Sequence, residues 1–302
     1  MEKKERASNS ISRFSPEVPP VFQPIALILL GLALFFFNTI SPVTRETNAR
    51  IEAFEPAVLL LHLISSVSPV LNVMPPEDYK GYCLNVPVIF YHHIQPMAEA
   101  RAKGKERLTV DNGIFVSQMS YLYAKGYRSI SASQLASALI AKSKLPAKSI
   151  VISFDDGYED FYTYAYPILQ KYHFVASLAI PTGLLGRNGY LSWDELKEMD
   201  RSGKIFIYSH TKSHTNLTKV TVSKAQYEIL AAKEQLQKFT GKNSNVFFYP
   251  YGAVSFGVIS VLDANGYQAG YSTKPGFIQC DSFLMALHRT EIGNLSLSSY
   301  GL

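Results

Sequence analysis

The chain has 302 residues, of which 47% are hydrophobic, so it can bury one large core, and its length alone admits either one domain or two. Its net charge is only +5, with no clustered Lys/Arg run interleaved with aromatics, which removes the case for nucleic-acid binding. Only two cysteines occur, Cys83 and Cys280, so disulfides cannot be the main source of stability.

The first 20 residues hold Lys3, Lys4, Arg6 and Arg13, and no charge follows between Val18 and Thr44. Residues 21–40 are mostly apolar, and about 20 residues at ~1.5 Å rise cross a ~30 Å hydrocarbon layer. The segment starts late and lacks a small-x-small cleavage site, so we read it as an uncleaved anchor rather than a secretory signal. Four basic residues before it against Arg45 and Arg50 just after it put the amino terminus inside by the positive-inside bias. Residues 1–20 are then a cytoplasmic tail, 21–40 a transmembrane helix and 41–85 a stem. Within the stem, Phe54, Val58, Leu61 and Ile64 or Val67 have helical spacing, which Pro75-Pro76 ends.

From residue 86 to 302, strand-like and helix-like segments alternate. Strands are expected at 86–91, 150–154, 176–180, 205–209, 246–249, 268–272 and 285–289. Helices are expected at 114–125, 133–141, 161–172, 223–240 and 255–265, with a capping box at Ser192-Trp-Asp-Glu195 opening another. This alternation means parallel strands with right-handed crossovers, in a barrel or an open doubly wound sheet.

Polar residues with chemical potential follow the ends of these strands. Asp155 and Asp156 come directly after one apolar run, His210 after another with His214 four residues on, His92 and His93 after the first, and Pro250-Tyr251 after a fourth. One Asp with two His is a complete facial ligand set for a divalent metal, with positions left open for water and substrate. Adjacent residues at an extended strand end point in opposite directions, so Asp155 and Asp156 have different roles.

The motifs Ser153-Phe-Asp-Asp-Gly157, Ser209-His-Thr-Lys-Ser-His214 and Tyr249-Pro-Tyr-Gly252, in that order, resemble those of the polysaccharide deacetylase family, carbohydrate esterase family four. The resemblance covers roughly residues 86–294. It implies an α/β fold, an irregular (β/α) barrel of seven or eight strands, and removal of N-acetyl groups from N-acetylglucosamine polymers such as poly-N-acetylglucosamine or peptidoglycan. It further implies a divalent metal held by Asp156, His210 and His214, with Zn first and Co, Ni or Fe as alternatives. Asp155 would be the base that activates water, Tyr251 would offer its backbone N–H to the oxyanion, and His288, late in Ala286-Leu-His-Arg289, would be the general acid.

Substrate contacts are expected from Pro250, from His92 in the Tyr-His-His-Ile opening, and from Trp193, whose ring can stack on a sugar or simply pack. The family's arginine two residues before the motif proline is Phe248 here, with Arg289 a candidate substitute. That departure, with a last motif that lacks the family's leucine two residues before His288, keeps a second reading open: a catalytically weak sugar-binding or scaffold domain at the cell envelope. The substrate polymers of the family place the domain outside the membrane, on a single-pass anchor. Cys83 and Cys280 each precede an apolar strand, which sets both at the end of the barrel away from the metal. Either a disulfide or two buried thiols fits that placement.

Overall fold

The computed structural model of the protein describes residues 79–302. The tail expected at residues 1–20, the anchor at 21–40 and the stem as far as residue 78 lie outside the described residues. Among the described residues no helix is long and apolar enough to cross a membrane.

Twelve strands are β1 Cys83–Asn85, β2 Val88–Tyr91, β3 His93–Gln95, β4 Thr109–Asp111, β5 Arg128–Ile130, β6 Ser149–Phe154, β7 Ala176–Ile180, β8 Ile205–Ser209, β9 Val246–Phe248, β10 Ala269–Tyr271, β11 Ile278–Cys280 and β12 Thr290–Glu291. Seven of them run in parallel in the order β12-β2-β6-β7-β8-β9-β10 and curl into a half-barrel. β6 and β7 are buried at every residue, as their unbroken apolar runs require for strands covered on both faces. β5 pairs with the first half of β6 and β7 with its second half, along the same edge. The segment after β11 reaches both ends of the curl, since Leu287 is bridged to Tyr271 while Thr290 and Glu291 pair with Ile89 and Phe90.

Helices pack around the sheet where hydrophobic spacing and caps place them. Ser131 and Ser192 each close a capping box with Gln134 and Glu195, opening helices Ala132–Ile140 and Trp193–Arg201. The long helix Val222–Thr240 starts on the Thr221 side chain and stops at Gly241, whose φ of 70° ends it in a left-handed turn. The stretch expected as one helix over 161–172 is a π-helical turn, Phe161–Ala165, followed by the α-helix Tyr166–Lys171. Pro167 lacks an N–H for the helical ladder and so sits in the first turn of the second piece.

The strand expected at 285–289 is instead the end of a 3-10 segment, Asp281–Ala286, and the pairing begins only at Leu287. β1 lies in the stretch assigned to the stem. It pairs in antiparallel fashion with β11, and Cys83 is disulfide-bonded to its cross-strand partner Cys280. The disulfide thus holds both ends of the described chain together.

Candidate active site

The residues named from sequence leave the carboxyl ends of β2, β6, β8 and β9, which in a parallel sheet open on one face. The turns there are unusual. Asp156, Thr211, His214 and Tyr251 all have left-handed backbone, with φ of 72°, 66°, 55° and 61°. Such conformations cost of order 1–3 kcal/mol each for non-glycine residues and persist only where surrounding structure imposes them. Next to Asp156, Gly157 also has a positive φ, 66°. A Cβ there would stand 2.7 Å from the Ile180 Cδ1 atom, so with its left-handed backbone the position favours glycine, and any other residue would push the Ile180 side chain aside.

Asp156, His210 and His214 converge. Asp156 Oδ1 lies 3.0 Å from His214 Nε2 and 3.4 Å from His210 Nε2, and the three ligand atoms all fall within 4.8 Å of one another. Tetrahedral ligands at zinc distances stand about 3.4 Å apart, so the spacing fits a small divalent cation. His210 Nδ1 lies 2.8 Å from the buried carbonyl oxygen of Phe248, to which it donates, and this leaves Nε2 as a lone pair turned toward Asp156. Buried Asp156 Oδ1 has no hydrogen-bond partner among the described residues. A carboxylate oxygen and an imidazole lone pair facing one point repel each other unless a cation sits between them. Burial alone would raise the Asp156 pKa, but with no cation present hydrogen bonds and charge from the two imidazoles, then carrying their protons toward it, overcome burial and hold the carboxyl well below its ordinary range.

Asp155 points the other way, into a different environment. Its two oxygens accept from Arg289 Nη1 and Nη2 at 2.7 and 2.8 Å, a bidentate pair in which both residues are buried. Burial, the largest single influence, raises the Asp155 pKa, yet the charge and hydrogen bonds of Arg289 together with the charges of His210 and His92 outweigh it, and the net shift is downward. Arg289 is held in turn by the Ser272 carbonyl at 2.8 Å and lies between the rings of Phe90 and Phe248, 4.5 and 4.9 Å from their centroids. Phe248 therefore marks no lost function. The guanidinium arrives from the segment before β12, and the ring in the motif position packs against it.

The remaining candidates divide. Tyr251 is 65% exposed beside the cluster, its ring 4.6 Å from that of His214, on the turn Pro250–Gly252. His92 lies near enough to Asp155 to lower its pKa and approaches Glu291, Nδ1 to Oε1 3.7 Å. Two candidates sit elsewhere. Trp193 packs on Phe239, ring centroids 4.6 Å apart, in the first turn of its helix. His288 is fully buried with its ring stacked on Phe283 at 4.9 Å; as the neighbour of Arg289 on extended backbone it takes the opposite face.

One contributor escaped the sequence reading. Glu228, fully buried, accepts from the Ser213 N–H at 2.8 Å, while its own backbone oxygen accepts from Lys212 at 3.0 Å, fastening the loop that carries His214. Its signal was present, because Glu228 falls on the buried stripe Ala225, Ile229, Ala232 and Leu236 of an otherwise amphipathic helix.

Comparison with known proteins agrees with this geometry. A family model described as polysaccharide deacetylase matches residues 142–270. The Bacillus subtilis protein YxkH, provisionally named a polysaccharide deacetylase, is 31% identical over 218 residues, covering 72% of this chain and 75% of its own length. The chain belongs to the polysaccharide deacetylase family. A poly-β-1,6-N-acetyl-D-glucosamine N-deacetylase of Staphylococcus epidermidis is 27% identical over 264 residues, 79% of this chain and 91% of that protein. The chain spans 40% of the length of the Escherichia coli protein of the same name. Among solved structures, the Streptococcus pyogenes deacetylase PplD in complex with acetate superposes with a TM-score of 0.65 at 29% identity, covering 69% of this chain and 92% of that one. Family membership accounts for the two neighbouring carboxylates of the deacetylase motif having separate environments, one beside imidazoles and one locked to a guanidinium.

Proposed function

We propose that the chain is a metal-dependent polysaccharide N-deacetylase acting on an N-acetylglucosamine polymer, poly-N-acetylglucosamine or peptidoglycan, outside a membrane to which residues 21–40 anchor it. The observation that carries this reading is the split of adjacent carboxylates, Asp156 facing His210 and His214 while Asp155 is held ionised by Arg289. The names of the similar proteins support the reaction and the substrate class. The Cys83–Cys280 disulfide supports an oxidising compartment and thus the extracytoplasmic placement.

Asp156, His210 and His214 would hold the metal, Zn or alternatively Co, Ni or Fe, which when bound supplies Lewis acidity toward the amide carbonyl. Asp155 accepts the proton of the attacking water, and its bond to Arg289 keeps the carboxylate ionised and fixes its direction. The lock between His210 Nδ1 and Phe248 keeps His210 in one tautomer. Tyr251, on its left-handed turn after Pro250, presents its backbone N–H toward the developing oxyanion. His92, next to Asp155, is the imidazole placed to protonate the departing nitrogen, since the His288 ring is taken up by packing against Phe283. The alternative reading as a weak sugar-binding domain drew on Phe248 and on the imperfect last motif around His288, and Arg289 answers the first of these.

The test is acetate release by the full chain from poly-β-1,6-N-acetylglucosamine oligomers, chitooligosaccharides and wall fragments, with metal content measured alongside. Removing a general base costs roughly 10²–10⁴ in rate, so Asp155→Asn is expected to lose that much. Equal release by the variant would end the enzymatic reading.

A further inference from the structure

Next to the metal cluster, loops 104–108 and 188–190 wall a cavity of about 460 Å³ that the proposed reaction does not use. Its floor is aromatic. The Tyr158 ring stacks on His93 at 3.7 Å and stands 5.3 Å from that of Tyr190, and Tyr158 also faces the Asp156 carboxylate, which joins the cavity to the site. His93 is buried and fixed by Asp160, whose two oxygens are taken by the imidazole Nδ1 and by the Ile94 N–H. Asp160, behind this wall, thus has both oxygens hydrogen-bonded by its own neighbours.

Two cations line the opening. Lys105 holds its Nζ 5.2 Å from the centroid of the Tyr158 ring, and Arg107 lines the same cavity. Neither forms an ion pair with a carboxylate among the described residues, and no Asp or Glu lines the cavity. The acids Glu99, Glu159 and Asp160 line an adjoining cavity of about 220 Å³ that shares Lys105 and Gly189 with this one. Gly189 turns with φ 82°, a left-handed conformation that favours glycine, and stands beside Lys105.

We propose that this cavity is a second sugar subsite that takes a pyranose bearing an anionic substituent, a carboxylate or a phosphate, next to the N-acetylglucosamine residue held at the cluster. It rests on the deacetylase reading above. The sugar ring packs against Tyr190 and the edge of Tyr158, the Asn188 amide offers hydrogen bonds, and Lys105 with Arg107 receives the anion. A neighbouring sugar that is already a free amine would be a cation facing two cations. The enzyme would therefore discriminate against substrate deacetylated at the adjoining position.

The test uses the full metal-loaded chain and N-acetylglucosamine oligosaccharides whose neighbouring sugar is neutral, carboxylated, phosphorylated or carries a free amine. Two partly exposed ion pairs together favour the anionic substrates by roughly five-fold in kcat/KM at low salt, a preference that shrinks as salt screens it. In the double variant Lys105→Ala/Arg107→Ala the ratio of anionic to neutral rates falls to about one; the carboxylate and phosphate arms identify the group the pocket fits. Equal rates on all substrates, or a preference unchanged in the double variant, overturns the subsite. If no substrate releases acetate, the deacetylase reading fails, and the subsite is then judged by equilibrium binding of the carboxylated and phosphorylated oligosaccharides. Tighter binding of either to the wild type than to the double variant supports the subsite, and equal binding of both overturns it.

Discussion

Arg289→Gln tests the central electrostatic arrangement. Arg289 is fully buried and Asp155 is 3% exposed, so the substitution leaves a carboxylate in the protein interior with no opposing charge. Breaking a buried pair in this way costs about 3–5 kcal/mol, and the space between Phe90 and Phe248 also loses its filler. The pH dependence gives the sharper signature. In the wild type the folded-state pKa of Asp155 is depressed, so the pair contributes stability above the unfolded value of about 3.9, lost only as pH falls through the lower folded pKa. Without Arg289, burial dominates and raises that pKa, so the variant is penalised most at neutral pH and recovers as acid protonates Asp155. Urea unfolding at pH 7.5 and pH 5, with chelator present so that metal linkage is equal, should show a wide gap that narrows on acidification. A gap below about 1 kcal/mol at pH 7.5, or one that stays constant between the two pH values, would refute the reasoning.

Three further outcomes follow from neighbouring contacts. Restoring the family residue by Phe248→Arg sets a second guanidinium against buried Arg289; at about 2–4 °C per kcal/mol for a domain of this size, a loss of about 3 kcal/mol lowers the Tm by roughly 6–12 °C. The exchange Phe248→Arg with Arg289→Phe should recover part of that loss in the same thermal scan, and no recovery would separate the two positions. Glu228→Gln loosens the loop bearing His214 and is expected to weaken metal affinity by about 10–100-fold in competition with a chromophoric chelator; unchanged affinity would show that the loop holds itself. Replacing Cys83 and Cys280 by serine removes a cross-link spanning 197 residues and should cost about 2–5 kcal/mol, whereas alkylation of unreduced wild type at both positions would show that the link is absent in solution.

Most of the sheet was legible because its strands are buried on both faces and read as continuous apolar runs: β7 and β8 occupy the residues the pattern marks, 176–180 and 205–209. The pieces that escaped are short. β1, β3, β4, β5 and β11 are each three residues long and β12 two, too few for any periodicity, and β1 pairs with β11 at Cys83 and Cys280, 197 residues apart. At residues 285–289 an apolar run looked like a strand but ends a 3-10 turn, because the chain must first cross from β11 before Leu287 meets Tyr271. The ligand set was legible because Asp156 and His210 come at the ends of apolar strands and His214 follows four residues after His210. Arg289 was named as a candidate from the missing motif arginine and does pair with Asp155, whereas Glu228, which supports the His214 loop from a helix, was not.

Phe248 and Arg289 show why motif matching alone misjudges such a site. The chemistry needs a guanidinium beside Asp155, and nothing in that requirement says which strand must deliver it. Here β9 delivers a ring and the segment before β12 delivers the charge. Each makes the other tolerable, since a buried arginine needs an aromatic or apolar flank for its faces and a phenylalanine there would otherwise leave Asp155 unpaired. The two positions should therefore vary together in related chains, arginine at one excluding arginine at the other. A relative with arginine at both positions and an intact Asp155 would show that the pocket accommodates two guanidinium groups and that the coupling argued here is not physical.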